Sequence, residues 1–194
     1  MNIKIDKISK SFGDKKVLVN FSAVLYENQF NCIMGPSGCG KTTLLNILMG
    51  FLSPDSGTVT GVPEIKSAVF QEDRLCEQFS AVSNIRMVIS KKVDTDDIIK
   101  HLNNVGIGNN SIYLPVCELS GGMRRRVAIV RAVMAESGII FLDEPFKGLD
   151  EETKTTVIKY VKEHAKGKTL VLVTHNIDEA RNFSGNIIQM AIYQ

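Results

Sequence analysis

A glycine-rich segment between a buried strand and a helix constrains the fold of this chain most. Residues Gly35 to Thr42 read Gly-Pro-Ser-Gly-Cys-Gly-Lys-Thr and fit the phosphate-loop pattern G-x-x-x-x-G-K-[ST]. The residues Asn31 to Met34 predict a buried strand before the loop, and Thr42 to Met49 predict a helix that Gly50 closes. A strand, such a loop and a helix in this order indicate a domain that binds the phosphates of a nucleotide.

Each residue type of this loop has a chemical reason. The glycines let successive N–H groups turn inward around phosphate oxygens, at the positive end of the following helix. Lys41 adds a positive charge near the β- and γ-phosphates, and the Thr42 hydroxyl can ligate Mg²⁺. Cys39, at the start of the helix, is predicted to be a reactive thiol that bound nucleotide protects from alkylation. The residues predicted to contact the nucleotide here are Gly35, Pro36, Ser37, Gly38, Cys39, Gly40, Lys41, Thr42 and Thr43.

Two carboxylates end the apolar run Ile139 to Leu142. Asp143 and Glu144 are costly at the end of a buried strand unless something uses them. Since adjacent strand residues point to opposite faces, we expect the two acids to have different roles. Asp143 is predicted to hold Mg²⁺. Glu144 is predicted to orient and deprotonate an attacking water, a general-base role worth about 10²–10⁴ in rate. The alternative is that one of them caps the next turn.

The remaining pattern predicts a single α/β domain over residues 1–194, with a helical lobe inserted at about 72–118. Short alternating strands up to residue 30, with a turn at Gly13-Asp14, predict an antiparallel opening. Strands that alternate with helices later in the chain predict a parallel sheet covered by helices. The other predicted elements are strands at Ile3 to Ile8, Val17 to Val19, Ala23 to Leu25, Ala68 to Phe70, Thr169 to Thr174 and Asn186 to Tyr193, a turn cluster at Ser53 to Gly57, helical periodicity at Ile85, Val88 and Ile89 and at Ile98, Ile99 and Leu102, and a helix near 151–165.

The composition narrows the possible partners. The formal net charge of +2 is too small to indicate a nucleic-acid partner. No apolar run approaches the roughly 18 residues of a membrane span, and Met1 to Asp6 alternate as a strand does and unlike a signal peptide. The four cysteines show no metal-ligand spacing, so we expect free thiols in a reduced, cytoplasmic protein.

The segment Leu119 to Met123, Leu-Ser-Gly-Gly-Met, lies between the phosphate loop and the acidic strand, and an arginine-rich helix follows it to Ala132. In this setting it resembles the signature of the ATP-binding cassette (ABC) family. Almost from end to end, the chain resembles the nucleotide-binding subunit of an ABC transporter, similar to nitrate/sulfonate/taurine-type importer ATPases. The resemblance implies a P-loop NTPase fold with a mainly parallel sheet core, an N-terminal antiparallel β subdomain and an inserted helical lobe.

The resemblance also implies roles for residues outside the phosphate loop. Ser120 to Gly122, including Gly121, would contact the γ-phosphate bound to the other subunit of a head-to-tail dimer. Gln71 would sense the γ-phosphate or ligate Mg²⁺, and His175 would contact the γ-phosphate. Phe12 would stack on the adenine. Asp150 belongs to a loop that couples the two nucleotide sites across the dimer.

The function implied by the resemblance is ATP hydrolysis, with Mg²⁺, that powers transport by a separate permease, with a separate substrate-binding protein. The subunit would lie on the inner face of the cell membrane. Two alternatives are a non-transport ABC ATPase and a regulatory module that binds ATP without hydrolysing it. Arg124, Arg125 and Arg126 fan out around a helix, so we expect local salt bridges and a solvated face. His101 and His164 are predicted to be surface residues.

Overall fold

The computed structural model describes residues 1–183 and 185–192. In chain order the strands are β1 (Ile3–Phe12), β2 (Lys15–Leu25), β3 (Phe30–Met34), β4 (Ser56–Thr60), β5 (Lys66–Val69), β6 (Ile139–Asp143), β7 (Thr169–Thr174) and β8 (Asn186–Gln189). The helices are α1 (Lys41–Met49), α2 (Ala81–Arg86), α3 (Thr95–Asn104), α4 (Asn109–Ile112), α5 (Gly121–Met134), α6 (Glu151–His164) and α7 (Ile177–Phe183), with a 3₁₀ turn at Val116–Glu118. None of the helices in this part of the chain is both long and apolar enough to cross a bilayer.

The chain divides into two compact units. The first comprises Met1–Lys66, Gly138–Glu144 and Gly167–Gln194, and the second comprises Ser67–Ser137 and Pro145–Lys166. That residues 1–194 form one domain with a lobe inserted at about 72–118 stays a prediction.

A three-stranded antiparallel sheet of order β2-β1-β4 opens the chain, as the sequence predicts. The turn between β1 and β2 lies at the predicted Gly13-Asp14. The prediction of separate strands at Val17 to Val19 and Ala23 to Leu25 is wrong, because both segments belong to β2. The register of β1 on β2 shifts between Ile5 and Ser11, so β-bulges interrupt the alternation of apolar residues without ending the strand.

The strand β4 is absent from the sequence prediction, which placed a turn cluster over Ser53 to Gly57. Ser56 and Gly57 already belong to β4, which pairs with β1. Gly57 has φ +84, and a Cβ there would lie 2.5 Å from the carbonyl oxygens of Asp6 and Lys7. The glycine that suggested a turn is therefore required by the close approach of two strands.

The larger sheet has the strand order β5-β6-β7-β3-β8, and all of its strands except β5 lie within the first unit. β3 pairs in parallel with β7 and β8, and β6 pairs in parallel with β7. Every residue of β6 and β7 is buried, which explains why these strands appear as continuous apolar runs in the sequence. In register, Met34 of β3 lies opposite Thr174 of β7, and Asp143 of β6 lies opposite Val173. The carboxyl ends of three buried strands therefore meet at one edge.

The C-terminal part of the chain differs from the sequence prediction in two ways. The helix α7 is not predicted, although Asn176 begins it by accepting hydrogen bonds from the N–H groups of Asp178 (2.8 Å) and Glu179 (3.3 Å). Asn is a favoured residue for starting a helix, so this signal is present in the sequence. The predicted final strand, Asn186 to Tyr193, ends as β8 at Gln189, and Tyr193 lies outside the described residues.

The second unit contains five of the helices, α2 to α6, and its helical periodicity is confirmed in α3, where Ile98 and Leu102 are fully buried. The periodicity predicted through Val88 and Ile89 is wrong, because α2 ends at Arg86. The guanidinium of Arg86 donates hydrogen bonds to the carbonyl of Val93 (2.5 Å) and to the hydroxyl of Thr95 (2.8 Å). The chain beyond α2 therefore folds back, which leaves Val88 exposed.

Candidate active site

The phosphate loop joins β3 to α1, at the edge of the sheet where β6 and β7 also end. Gly40 begins α1 with φ +97, a left-handed conformation that a side chain would oppose. A Cβ at Gly40 would also lie 2.9 Å from the Val17 side chain and 3.1 Å from the Val17 carbonyl oxygen. Glycine is therefore required here for both its backbone freedom and its size, and the loop delivers its N–H groups to the start of the helix.

Lys41 is held inside this loop. Its side-chain ammonium donates hydrogen bonds to the carbonyl oxygens of Gly35 (2.7 Å) and Pro36 (2.9 Å), and the residue is only 8% exposed. A charged group so little exposed is costly unless hydrogen bonds satisfy it. The loop therefore fixes a positive charge beside the same N–H groups that the sequence assigns to phosphate binding.

Thr42 and Asp143 lie together, as their predicted shared role requires. The Thr42 hydroxyl donates a hydrogen bond to a carboxylate oxygen of Asp143 at 3.1 Å, and Asp143 is 2% exposed. A hydroxyl and a carboxylate are hard oxygen donors of the kind that Mg²⁺ prefers, so the residues present fit this ion. Gln71, the third predicted ligand, belongs to the second unit. Its role at the metal stays a prediction.

Glu144 follows β6 in an unusual backbone conformation. Its φ of +48 lies in the left-handed region, and its N–H donates to the carbonyl of Val173 at 2.9 Å. The argument from strand alternation therefore does not apply, because β6 ends at Asp143 and Glu144 is turned out of the strand. A non-glycine residue in this conformation costs about 1–3 kcal/mol, and such strain clusters at functional sites.

His175 holds the carboxylate of Glu144. Its Nδ1 lies 2.8 and 3.0 Å from the two carboxylate oxygens, and since an ionised carboxylate only accepts, Nδ1 carries the proton. The Glu144 side chain is 14% exposed and the His175 side chain is 65% exposed. The structure thus brings the predicted base into direct contact with the histidine that is predicted to contact the γ-phosphate, at the end of β7.

Phe12 ends β1 with half of its surface exposed, which suits a stacking platform. The ammonium of Lys10 lies 5.8 Å from the ring centroid and forms an ion pair with Asp55 at 2.6 Å. The other carboxylate oxygen of Asp55 accepts the N–H of Ser11 at 2.7 Å. Both bonds lower the pKa of Asp55, and the bond from Lys10 has the larger effect. This support for Phe12 is not predicted from the sequence, because Asp55 lies 43 positions away along the chain.

Ser120 and Asp150, both in the second unit, each begin a helix. At the start of α5, the Ser120 hydroxyl accepts a hydrogen bond from the N–H of Met123 at 3.2 Å. At the start of α6, a carboxylate oxygen of Asp150 accepts a hydrogen bond from the N–H of Thr153 at 2.9 Å. The backbone bond from Thr153 is the main reason that the pKa of Asp150 is lowered. The capping role of Asp150 was missed, although an aspartate just before a helix is its sequence signal.

Burial bears on three other expectations. Cys39 is 2% exposed, which disfavours the reactive thiol expected from its place at a helix start, and its protection by nucleotide stays a prediction. Arg125 is only 9% exposed and does not lie on a solvated face. His101 and His164 are half-buried rather than surface residues, with ring centroids 4.6 Å apart, and Nδ1 of His101 bonds the Tyr160 hydroxyl at 2.8 Å.

Comparisons with known proteins agree with this site. Residues 18–147 match the family model described as ABC transporter. The chain is 37% identical to the taurine import ATP-binding protein TauB of Roseobacter denitrificans, a match that covers 97% of this chain and 77% of that protein. It is 32% identical to the spermidine/putrescine import ATP-binding protein PotA of Fusobacterium nucleatum, over 97% of this chain and 54%, about half, of that protein.

Two solved structures have the same fold. The dimeric structure of MJ0796, a bacterial ABC transporter cassette, has a TM-score of 0.83 at 28% identity and covers 97% of this chain and 94% of its own. A post-hydrolysis state of the same cassette, bound to ADP and Pi, has a TM-score of 0.84 at 27% identity, over 99% and 97% of the two chains. The chain belongs to the ABC transporter family, as an ATP-binding subunit that hydrolyses ATP.

Proposed function

We propose that this chain is the ATPase subunit of an ABC importer, in which two copies close around two Mg²⁺-ATP and drive a separate membrane permease. One observation carries the ATPase part: the Thr42–Asp143 pair and the His175–Glu144 pair lie at the edge of the sheet where the phosphate loop begins. The import ATP-binding proteins among the relatives support the direction of transport.

Binding of the triphosphate would use groups that the loop already orders. The inward N–H groups and the Lys41 ammonium would meet the β- and γ-phosphates, and Lys41 would exchange its carbonyl partners for phosphate oxygens. Thr42 and Asp143 would hold Mg²⁺. When it is bound, this ion would neutralise charge on the β- and γ-phosphates. Phe12 would stack on the adenine.

Hydrolysis would depend on Glu144. Its carboxylate accepts a proton from water while the water oxygen forms a bond to the γ-phosphorus and the bond from that phosphorus to the β–γ bridging oxygen breaks. The Nδ1–H of His175 fixes the carboxylate orientation, because it bonds both oxygens. A hydrogen bond from His175 to a γ-phosphate oxygen would require a proton on Nε2 as well, because the phosphate oxygens only accept.

The second copy would complete each site with Ser120 to Gly122. The helix α5 that follows Ser120 is 14 residues long, and its N-terminal N–H groups form a positive end suited to a phosphate. A Cβ on Gly121 would meet no atom within 4 Å, so an approaching phosphate has room beside the backbone. Asp150 would lie at the loop that couples the two sites.

A group of exposed apolar side chains supports a permease partner. Within the second unit, Val116 N–H donates to the carbonyl of Phe79 at 3.0 Å, and Ser80 bridges Pro115, so the segments around Phe79 and Leu114 lie side by side. The exposed fractions are 51% for Phe79, 62% for Tyr113 and 39% for Leu114. Neighbouring exposed apolar residues of this kind are typical of protein–protein contact sites. The permease would hold the subunit at the inner face of the membrane. A separate substrate-binding protein would be a further component of the importer.

The test of the catalytic assignment is steady-state ATP hydrolysis by Glu144→Gln. We expect a loss of at least about 100-fold, the lower end of what a general base contributes, with ATP binding retained. Glu163→Gln, which removes an exposed carboxylate on α6, is the matched control and should hydrolyse ATP at the wild-type rate. Equal rates for Glu144→Gln and the wild type would remove Glu144 from the mechanism.

A further inference from the structure

The arginines of α5 bind the segment that contains Gln71. The guanidinium of Arg125 donates to the carbonyl of Phe70 at 2.5 Å and also to the carbonyl of Gln71, and its Nε pairs with the carboxylate of Asp73 at 3.2 Å. Arg125 is 9% exposed, so these bonds form largely out of water. A charge with so little solvent is stable only because its donors are used.

A second arginine, six residues further along α5, extends this contact. The guanidinium of Arg131 donates to the carbonyls of Arg74 at 2.9 Å and Asp73 at 3.2 Å. The two arginines therefore bind four carbonyl oxygens between residues 70 and 74. The planar guanidinium, with five donors in a fixed geometry, can bind two carbonyls at once, which a lysine ammonium does less specifically.

The bound segment has little structure of its own. Residues 70–79 form no helix or strand, whereas α5 packs its Val127, Ile129 and Val130 completely out of solvent. A segment without a hydrogen-bond ladder takes its position from side chains that bind its backbone. The backbone at Gln71 is therefore held by the helix that begins at Ser120, through Arg125.

We infer that Arg125 is a positioning residue for Gln71, and that it makes Gln71 move with α5. This inference rests on the proposed function, in which Ser120 serves the nucleotide of the second copy, and on the predicted role of Gln71 at the nucleotide of its own chain. A displacement of α5 by one nucleotide is then transmitted to Gln71 at the other. Arg125 thus links the two ATP sites of the dimer.

The test is a double-mutant cycle on the ATPase rate of the full chain. Arg125→Gln removes the guanidinium that binds the two carbonyls. We expect kcat to fall about tenfold, which is the equivalent of one lost charged hydrogen bond, and the KM for ATP to stay nearly unchanged. Arg125→Gln added to Gln71→Ala should cause no further loss, because the residue acts through Gln71. A loss of the same factor in both backgrounds would overturn the positioning role.

Two further variants keep the test decisive. Arg124→Gln is the matched control, since the Arg124 side chain makes no hydrogen bond or ion pair with any residue in the described part of the chain, and it should keep the wild-type kcat. Arg125→Lys keeps the charge and should still lose activity, which covers the case in which Arg125→Gln does not fold. Wild-type kcat in a folded Arg125→Lys would contradict the carbonyl contacts as the cause. Wild-type kcat in Gln71→Ala alone would instead refute the proposed role of Gln71.

Discussion

At the scale of single residues, the chemistry depends on a backbone conformation that glutamate disfavours. Glu144 has φ +48 directly after the buried strand β6, and its side chain meets His175 at 2.8 Å. A straight continuation of the strand would have sent this carboxylate to the face opposite Asp143. The left-handed turn instead places a proton acceptor at the strand end, so part of the stability of the fold is given up for the site.

The strained backbone at Glu144 predicts that a substitution there can change the free energy of unfolding independently of ATP hydrolysis. Glu144→Asn and Glu144→Gln should both lose hydrolysis, but asparagine tolerates the left-handed region better than glutamine. We expect Glu144→Asn to be more stable than Glu144→Gln by about 0.5–1 kcal/mol in urea unfolding with nucleotide absent. Equal free energies of unfolding for the two variants would show that the backbone at this position is not strained.

Several site residues could be assigned from the sequence because their motif is local. Lys41 and Thr42 follow from the loop pattern, and the Thr42–Asp143 contact follows from two strands that end at one edge. Burial could not be read in the same way. Cys39 lies at a helix start in sequence, but only the folded structure shows that the residue is buried. The bonds of Arg125 to Phe70 and Gln71 join positions more than 50 apart in the chain, which a local pattern does not encode.

At the scale of elements, strands with both faces buried were the most predictable. β3, β6 and β7 appear as short apolar runs, and each was placed within a residue or so of its bounds. Strands whose bounds depend on pairing with a neighbouring strand were less predictable. β2 was divided because bulges in its pairing with β1 disturb the alternation, and β4 was missed because its glycine serves a close strand contact.

The contact between α3 and α6 predicts a pH dependence of stability. Burial, and then the nearby His164, lower the pKa of His101, while Asp97 acts in the opposite direction and the Tyr160 hydroxyl bonds the ring. Because the folded pKa lies below the unfolded one, the unfolded chain binds the proton more readily. The stability from this site is therefore complete above the ordinary histidine pKa of about 6.5 and is lost as pH falls below it.

Urea unfolding at about pH 7.5 and about pH 5.5, on either side of the ordinary histidine value, measures this effect. The wild type should lose stability at the lower pH. His101→Asn keeps a polar partner for Tyr160 but does not titrate, so its loss should be smaller. The same loss in both proteins would assign the pH dependence to groups other than His101.

At the scale of the whole molecule, the proposed transport function includes a membrane permease as a partner. The helices in the described residues do not cross a bilayer, and the exposed apolar group of Phe79, Tyr113 and Leu114 lies in the second unit, which also contains Gln71 and Ser120. A membrane protein bound to this group would contact the unit that responds to nucleotide. The apolar group and the ATPase site would then be the two ends of one coupling mechanism.

Co-purification tests this arrangement. Tagged Glu144→Gln, which should bind ATP without hydrolysing it, would be isolated with ATP and Mg²⁺ from detergent-solubilised membranes of its native cell. We expect a polytopic membrane protein in near-equal amount by peptide mass spectrometry. Adding Phe79→Ser or Leu114→Ser should reduce the recovered partner severalfold, because each leaves a polar group at an apolar contact. Phe51→Ser, which removes a 66% exposed aromatic of the first unit, is the matched control and should retain the partner. Recovery of a soluble partner only would favour a non-transport ABC ATPase, and equal recovery with all three serine variants would place the permease on another surface.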